Sequence, residues 1–133
     1  MIFIDTGAFL ARYLSRDQHH KAATALWEKI RAERELCVTS NFVLDETFTL
    51  LARRASYSFA AEKARVIYAS EALQILRPDA LVESAALNWF EKYADQKVSF
   101  TDCVSFVLIR EANIGHVFSF DAHFEQAGFK RWR

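Results

Sequence analysis

The chain opens Met1-Ile2-Phe3-Ile4-Asp5-Thr6-Gly7, and the reading of that stretch decides the fold. Three consecutive apolar residues with no polar alternation match a strand buried on both faces, as in a parallel sheet. Asp5 stops the run, and Thr6-Gly7 leads into a helical segment. A buried strand feeding a helix is the first half of a βαβ unit. The same pattern returns along the chain. Leu36-Cys37-Val38-Thr39, Leu73-Gln74-Ile75-Leu76 and His116-Val117-Phe118-Ser119-Phe120 read as strands, and Phe129 to Arg133 as a short fifth after a stop at Gly128. Helical runs are expected from Asp17, as cap, to about Arg34. Others run from Ser40 to Arg54, from Ser58 to about Ser70, from Asp79 to near Tyr93 and from Thr101 to Ala112. Strands alternating with helices predict an α/β protein, a three-layer α/β/α sandwich around four or five parallel strands.

Composition bounds the function. With 133 residues, 52% hydrophobic and 26% charged, the chain is expected to be one folded domain over residues 1–133. The longest stretch without a charged residue is nine, against the ~18 apolar residues that a spanning helix needs. No membrane span and no secretory leader are expected, which places the protein in the cytoplasm. Seventeen basic and seventeen acidic side chains cancel, so no overall basic field grips nucleic acid; a local patch stays open. Cys37 and Cys103 cannot form a disulfide framework, and their separation is not metal-ligand spacing.

Open parallel sheets gather ligands beyond the carboxyl ends of their strands. Asp5 and Asp121 both fall there, each following an apolar strand and preceding a helix. A helix N-cap is the alternative for either. On a helix starting near Ser40, Glu46 shares a face with Phe42, Val43 and Leu50, where an unpaired carboxylate is costly; the alternative is a structural salt bridge. Asp45, next to it, reads as solvated. Asp102 enters the first turn of a largely apolar helix, where the dipole favours an acid by ~0.3–1 kcal/mol, an ordinary placement by itself. If the four converge within about 6 Å, each like-charge pair costs roughly 3 kcal/mol at an effective dielectric near 20. Such a cluster takes up protons or holds a cation. Carboxylate oxygens are hard donors, suited to Mg²⁺ or Mn²⁺ rather than zinc, and a water on such an ion is a nucleophile for a phosphodiester.

The segments IFIDTGAFL (2–10), SNFVLDETFTLLARR (40–54), VSFTDCVSF (98–106) and HVFSFDAHFEQAGF (116–129), in this order and spacing, resemble the PIN domain. More closely, they are similar to the VapC-type toxins of bacterial and archaeal toxin–antitoxin pairs. That resemblance covers essentially the whole chain. It implies a Mg²⁺- or Mn²⁺-dependent endoribonuclease that leaves 5′-phosphate and 3′-hydroxyl ends, forms a homodimer and is restrained by a cognate antitoxin. Asp5 and Asp102 would then be the main metal ligands, with Glu46 and Asp121 completing the catalytic cluster partly through water. Thr6 and Thr101 would orient carboxylates.

Arg12 and Arg16, four apart, are candidates for one face at the mouth of the site. Arg53, Arg54, Lys130, Arg131 and Arg133 are further candidates for phosphate contacts. His19, His20, His116 and His123 share no ligand spacing, and His123 reads as a bystander. Trp27, Trp89 and Trp132 read as core or interface residues. The competing classes are a non-catalytic PIN-like interaction module and a small Mg²⁺-dependent phosphohydrolase. A haloacid-type phosphatase would need an acid two residues after Asp5, where Gly7 stands, and three scattered glycines exclude a P-loop.

Overall fold

In the computed structural model, which describes residues 1–133, β1 (Ile2–Ile4) occupies an interior position of a four-stranded sheet of order β3-β2-β1-β4. Its neighbours are β2 (Cys37–Ser40) and β4 (His116–Phe118), and β3 (Leu73–Leu76) lies outside β2. Every pairing is parallel, with Phe3 opposite Val38 on one side and Val117 on the other. All three residues of β1 are buried, as a strand covered on both faces requires.

Seven helices flank the sheet. They are α1 (Thr6–Tyr13), α2 (His20–Glu33), α3 (Asn41–Arg54), α4 (Tyr57–Ala69), α5 (Ala80–Lys92), α6 (Phe100–Glu111) and α7 (His123–Gln126). None is long and apolar enough to cross a membrane. Ser40, Ser56, Asp79 and Ser99 cap α3, α4, α5 and α6, each accepting a backbone N–H from the third residue on. A core cluster of 28 buried residues joins β1 and β4 to α6, with Phe3, Phe9, Phe106, Phe118 and Phe124 at its centre. All three tryptophans pack on or within it.

The expected three-layer parallel architecture is the one observed, and several local expectations are corrected. The tail makes a single parallel bridge, Val117 to Arg131, not a fifth strand. β4 presents only three residues, and the Trp132 backbone amide donates to the Val117 carbonyl at 2.7 Å while its ring is buried. Ser119 and Phe120 lie beyond the strand, and the Ser119 hydroxyl bonds Asp5. Asp17 does not cap α2. Its Oδ1 accepts the His19 amide at 2.8 Å, shaping a turn that delays the helix to His20. Ser56 rather than Ser58 opens α4, and Ser99 rather than Thr101 opens α6. At Gly128, φ is +95°, which lets the chain reverse after α7 while the Phe129 amide reaches back to the Phe124 carbonyl.

Candidate active site

Strand order reverses at β1, whose successors step away on one side while β4 returns on the other. The crevice at the carboxyl ends of these two strands is the place such sheets offer a ligand. An open cleft of about 550 Å³ lies there, lined by Asp5, Glu46, Asp102 and Asp121 together with Thr6, Arg54, Lys97, Ser99, Phe120 and His123. The four acids proposed from the sequence therefore face one cavity.

Each acid is placed by its own local logic. Asp5 ends β1 with its amide still donating to the Phe118 carbonyl, and its side chain makes no capping bond to α1. Instead, Oδ2 accepts the Ser119 hydroxyl at 2.7 Å. Because Ser99 caps α6, the Asp102 carboxylate is not needed for capping and turns to the cleft. Glu46 sits half-buried on α3 beside an exposed Asp45, and no Lys, Arg or His lies within ion-pair distance of it. The salt-bridge reading of Glu46 is thereby set aside. Asp121 is the outermost acid. Its amide donates to the Ser119 hydroxyl oxygen at 3.0 Å and its Oδ1 accepts the His123 amide at 3.0 Å.

Electrostatically the cluster is frustrated. Burial, reinforced by the negative charges of Asp102 and Asp121, pushes the Asp5 carboxyl up to about 7, against the pull of the Ser119 hydroxyl. Burial and then the charges of Asp121 and Glu46 raise Asp102 to about 7 as well, while the Ser99 hydroxyl works the other way. Two groups that are ordinarily ionised are pushed toward their protonated forms, by desolvation first and then by the neighbouring carboxylates. The Thr6 hydroxyl is buried at the same cleft with no protein hydrogen-bond partner. Crowded hard-oxygen donors, no adequate counter-charge and an orphaned hydroxyl fit a hard divalent cation and its waters.

Other expectations change. Thr6 and Thr101 do not orient carboxylates; Ser119 and Ser99 stand beside the acids instead. A lone hydroxyl between Phe118 and Phe120, two residues before Asp121, was the available signal for Ser119. His123 is no bystander, since Nδ1 lies 3.0 Å from Asp121 Oδ1 and 3.4 Å from Asp102 Oδ2. Arg12 does not reach the cleft. Seven residues beyond Asp5 it stands about 10 Å further along the helix axis, with its guanidinium 4.4 Å over the Trp27 ring. Arg16 falls past the end of α1, so helical spacing no longer relates the two. The cations lining the cleft are Arg54, whose Nη1 is 4.0 Å from Asp17, and Lys97, held at φ +54°. No sequence signal marked Lys97, an exposed residue that reaches the cleft rim only through the fold. Arg131 and Arg133 pair with Glu125 at 3.8 and 3.2 Å, and Arg131 also lies over the Phe120 ring.

Fold and cleft together define a parallel α/β protein with a four-carboxylate centre at its topological switch point. Residues 2–130 match the PIN domain family, and the chain belongs to that family, in its VapC branch. It is 35% identical over 129 residues to the 23S rRNA-specific endonuclease VapC20 of Mycobacterium tuberculosis, across 97% of this chain and 95% of that protein. A VapC ribonuclease of Archaeoglobus fulgidus is 32% identical over 124 residues, 91% of this chain and 77% of the relative. The crystal structure of M. tuberculosis VapC20, described as a Sarcin-Ricin loop cleaving toxin, superposes with a TM-score of 0.88 at 32% identity, covering 97% of this chain and 96% of that one.

Proposed function

We propose that this chain is the endoribonuclease toxin of a toxin–antitoxin pair, acting in the cytoplasm. It would hydrolyse RNA phosphodiester bonds with Mg²⁺ or Mn²⁺ held by Asp5 and Asp102, and by Glu46 and Asp121 partly through water. The observation that carries this reading is that two buried carboxylates, each raised to about 7, share a cleft with two further acids. A bound divalent ion supplies charge neutralisation at the phosphate and a water of lowered pKa.

The protein's own groups do the rest. Ser119 ties the Asp5 carboxylate to the Asp121 backbone, which fixes the spacing between the inner and outer acids. Lys97 and Arg54 present positive charge where the RNA backbone must approach an anionic centre. Similarity to VapC20 makes a structured ribosomal RNA loop the first substrate to assay. The interaction-module alternative leaves the frustration of Asp5 and Asp102 without a purpose.

A second cavity of about 440 Å³ is lined by Phe9, Trp27, Ile30 and Leu73, with Arg12, Arg31 and Arg34 among its cations. An acidic amphipathic segment fits that chemistry, and we assign it to the antitoxin. Exposed Leu87 and Phe90, neighbours on one face of α5, are the apolar side chains we assign to a homodimer contact.

The deciding experiment incubates the purified chain with ribosomal RNA and Mg²⁺ or Mn²⁺. Cleavage that needs the ion and disappears in Asp5→Asn supports the reading. Cleavage unaffected by chelator, or none with either ion, overturns it.

A further inference from the structure

The His123 imidazole faces two of the four acids. One ligand atom each from Asp102, Asp121 and His123 lies within 4.8 Å of the other two. The Nδ1 contacts, 3.0 Å to Asp121 and 3.4 Å to Asp102, are the spacing of adjacent ligands around one ion. Metal bonds of about 2.1 Å at right angles place neighbouring donors about 3.0 Å apart. The ring is not loosely disposed. The His123 amide is bonded to Asp121 Oδ1, so the residue carrying the imidazole is fixed to the acid it faces. At these distances Nδ1 either donates a proton to a carboxylate or, with its lone pair bare, faces both acids across a cation; the geometry fits both, and a divalent ion takes the place of the proton.

We propose that His123 supplies a nitrogen ligand through Nδ1 to the divalent centre, converting an all-oxygen site into a mixed one that favours Mn²⁺ over Mg²⁺. Mg²⁺ keeps oxygen ligands and its own waters, whereas imidazole nitrogen suits transition-metal ions. The inference rests on the acidic cleft being a metal centre, and goes beyond it in naming a fifth ligand and the ion it selects.

The test uses the whole protein loaded with Mn²⁺ and read by pulsed electron paramagnetic resonance, once with natural-abundance nitrogen and once with ¹⁵N-histidine. A directly coordinated histidine nitrogen is expected, its coupling changing on ¹⁵N labelling and vanishing in His123→Ala. Titration of both ions should show Mn²⁺ binding weakened at least about tenfold in His123→Ala, with Mg²⁺ binding changed less than about threefold. The labelled wild-type protein keeps the test valid whatever the variant's stability. Mn²⁺ bound with no histidine coupling, or coupling that persists in His123→Ala, would show that the imidazole only hydrogen-bonds the acids and overturns the inference. Equal weakening of both ions does so too, and in each case the nuclease reading survives. A wild-type protein that binds neither ion brings down both.

Discussion

The hydroxyl of Ser119 donates to Asp5 Oδ2 at 2.7 Å, a bond between residues 114 positions apart in the chain. Ser119 Oγ in turn accepts the Asp121 amide, so one buried serine couples the end of β1 to the loop after β4 and holds two of the four acids in register. Groups behind a metal ligand commonly matter by 10–100-fold. Ser119→Ala removes a hydrogen bond to a group whose charged form it favours. We expect RNA cleavage at saturating Mn²⁺ to fall about 10–100-fold and Mn²⁺ affinity to fall in parallel. The fold should lose about 1–3 kcal/mol, measured by urea unfolding. Wild-type metal affinity in this variant would mean that Asp5 is held by packing alone.

Asp5 and Asp102 also set a pH dependence whose sign is the reverse of the usual carboxylate case. Each rises from 3.8 to about 7 on folding, so between those values the native state binds more protons than the unfolded chain. Stability without metal must therefore fall as pH rises from about 4 to about 7 and level off above. Each extra bound proton tilts stability by about 1.4 kcal/mol per pH unit, so even a single proton held between the pair should cost about 4 kcal/mol across that window. Urea midpoints across pH, compared between wild type and Asp5→Asn, isolate this contribution from that of the ordinary surface acids. Saturating Mn²⁺ should flatten or invert the trend, because the ion binds the ionised carboxylates.

Removing one charge relieves the same repulsion. Asp5→Asn and Asp102→Asn should abolish cleavage. At pH 8 without metal, each should unfold at the wild-type urea midpoint or higher, and neither should gain stability from Mn²⁺ as wild type does. A variant that keeps wild-type cleavage, or that collapses without metal, would remove the carboxylate concerned from the centre.

Much of the molecule is legible in residue order. Ile2-Phe3-Ile4 announces a strand with two covered faces, and the acids at strand ends and on the inner face of α3 announce the cleft. What stays hidden depends on hydrogen bonds between distant segments or on backbone angles. Ser119 has meaning only once β4 lies beside β1. His123 looks idle in sequence because one of the two acids its ring meets, Asp102, is 21 residues away in the chain. Arg12 shows the converse: it is close to Asp5 in sequence, yet two turns of α1 carry it away from the cleft. The tail, with three basic side chains among its five residues, follows a stop at Gly128 as a strand would, but it meets β4 only at the Val117–Arg131 bridge.

Lys97 gives the sharpest test of how RNA meets the cleft. A lysine at φ +54° sits where a β-carbon is disfavoured by roughly 1–2 kcal/mol, and the residue lines the acidic cleft, so backbone strain and positive charge meet at one position. Lys97→Gly should therefore separate the two effects. Stability in urea should stay level or rise by up to about 1 kcal/mol, because glycine adopts that conformation freely. RNA binding, measured with Ca²⁺ or with Asp102→Asn to prevent cleavage, should weaken, and the slope of log K against log salt should become shallower by about one. Arg54→Ala should behave alike in the salt slope, whereas Arg12→Ala, on the far side of α1, should leave it unchanged. If Arg12 alters the slope and Lys97 does not, the RNA crosses the apolar cavity rather than the acidic cleft, and the assignment of the two cavities must be exchanged.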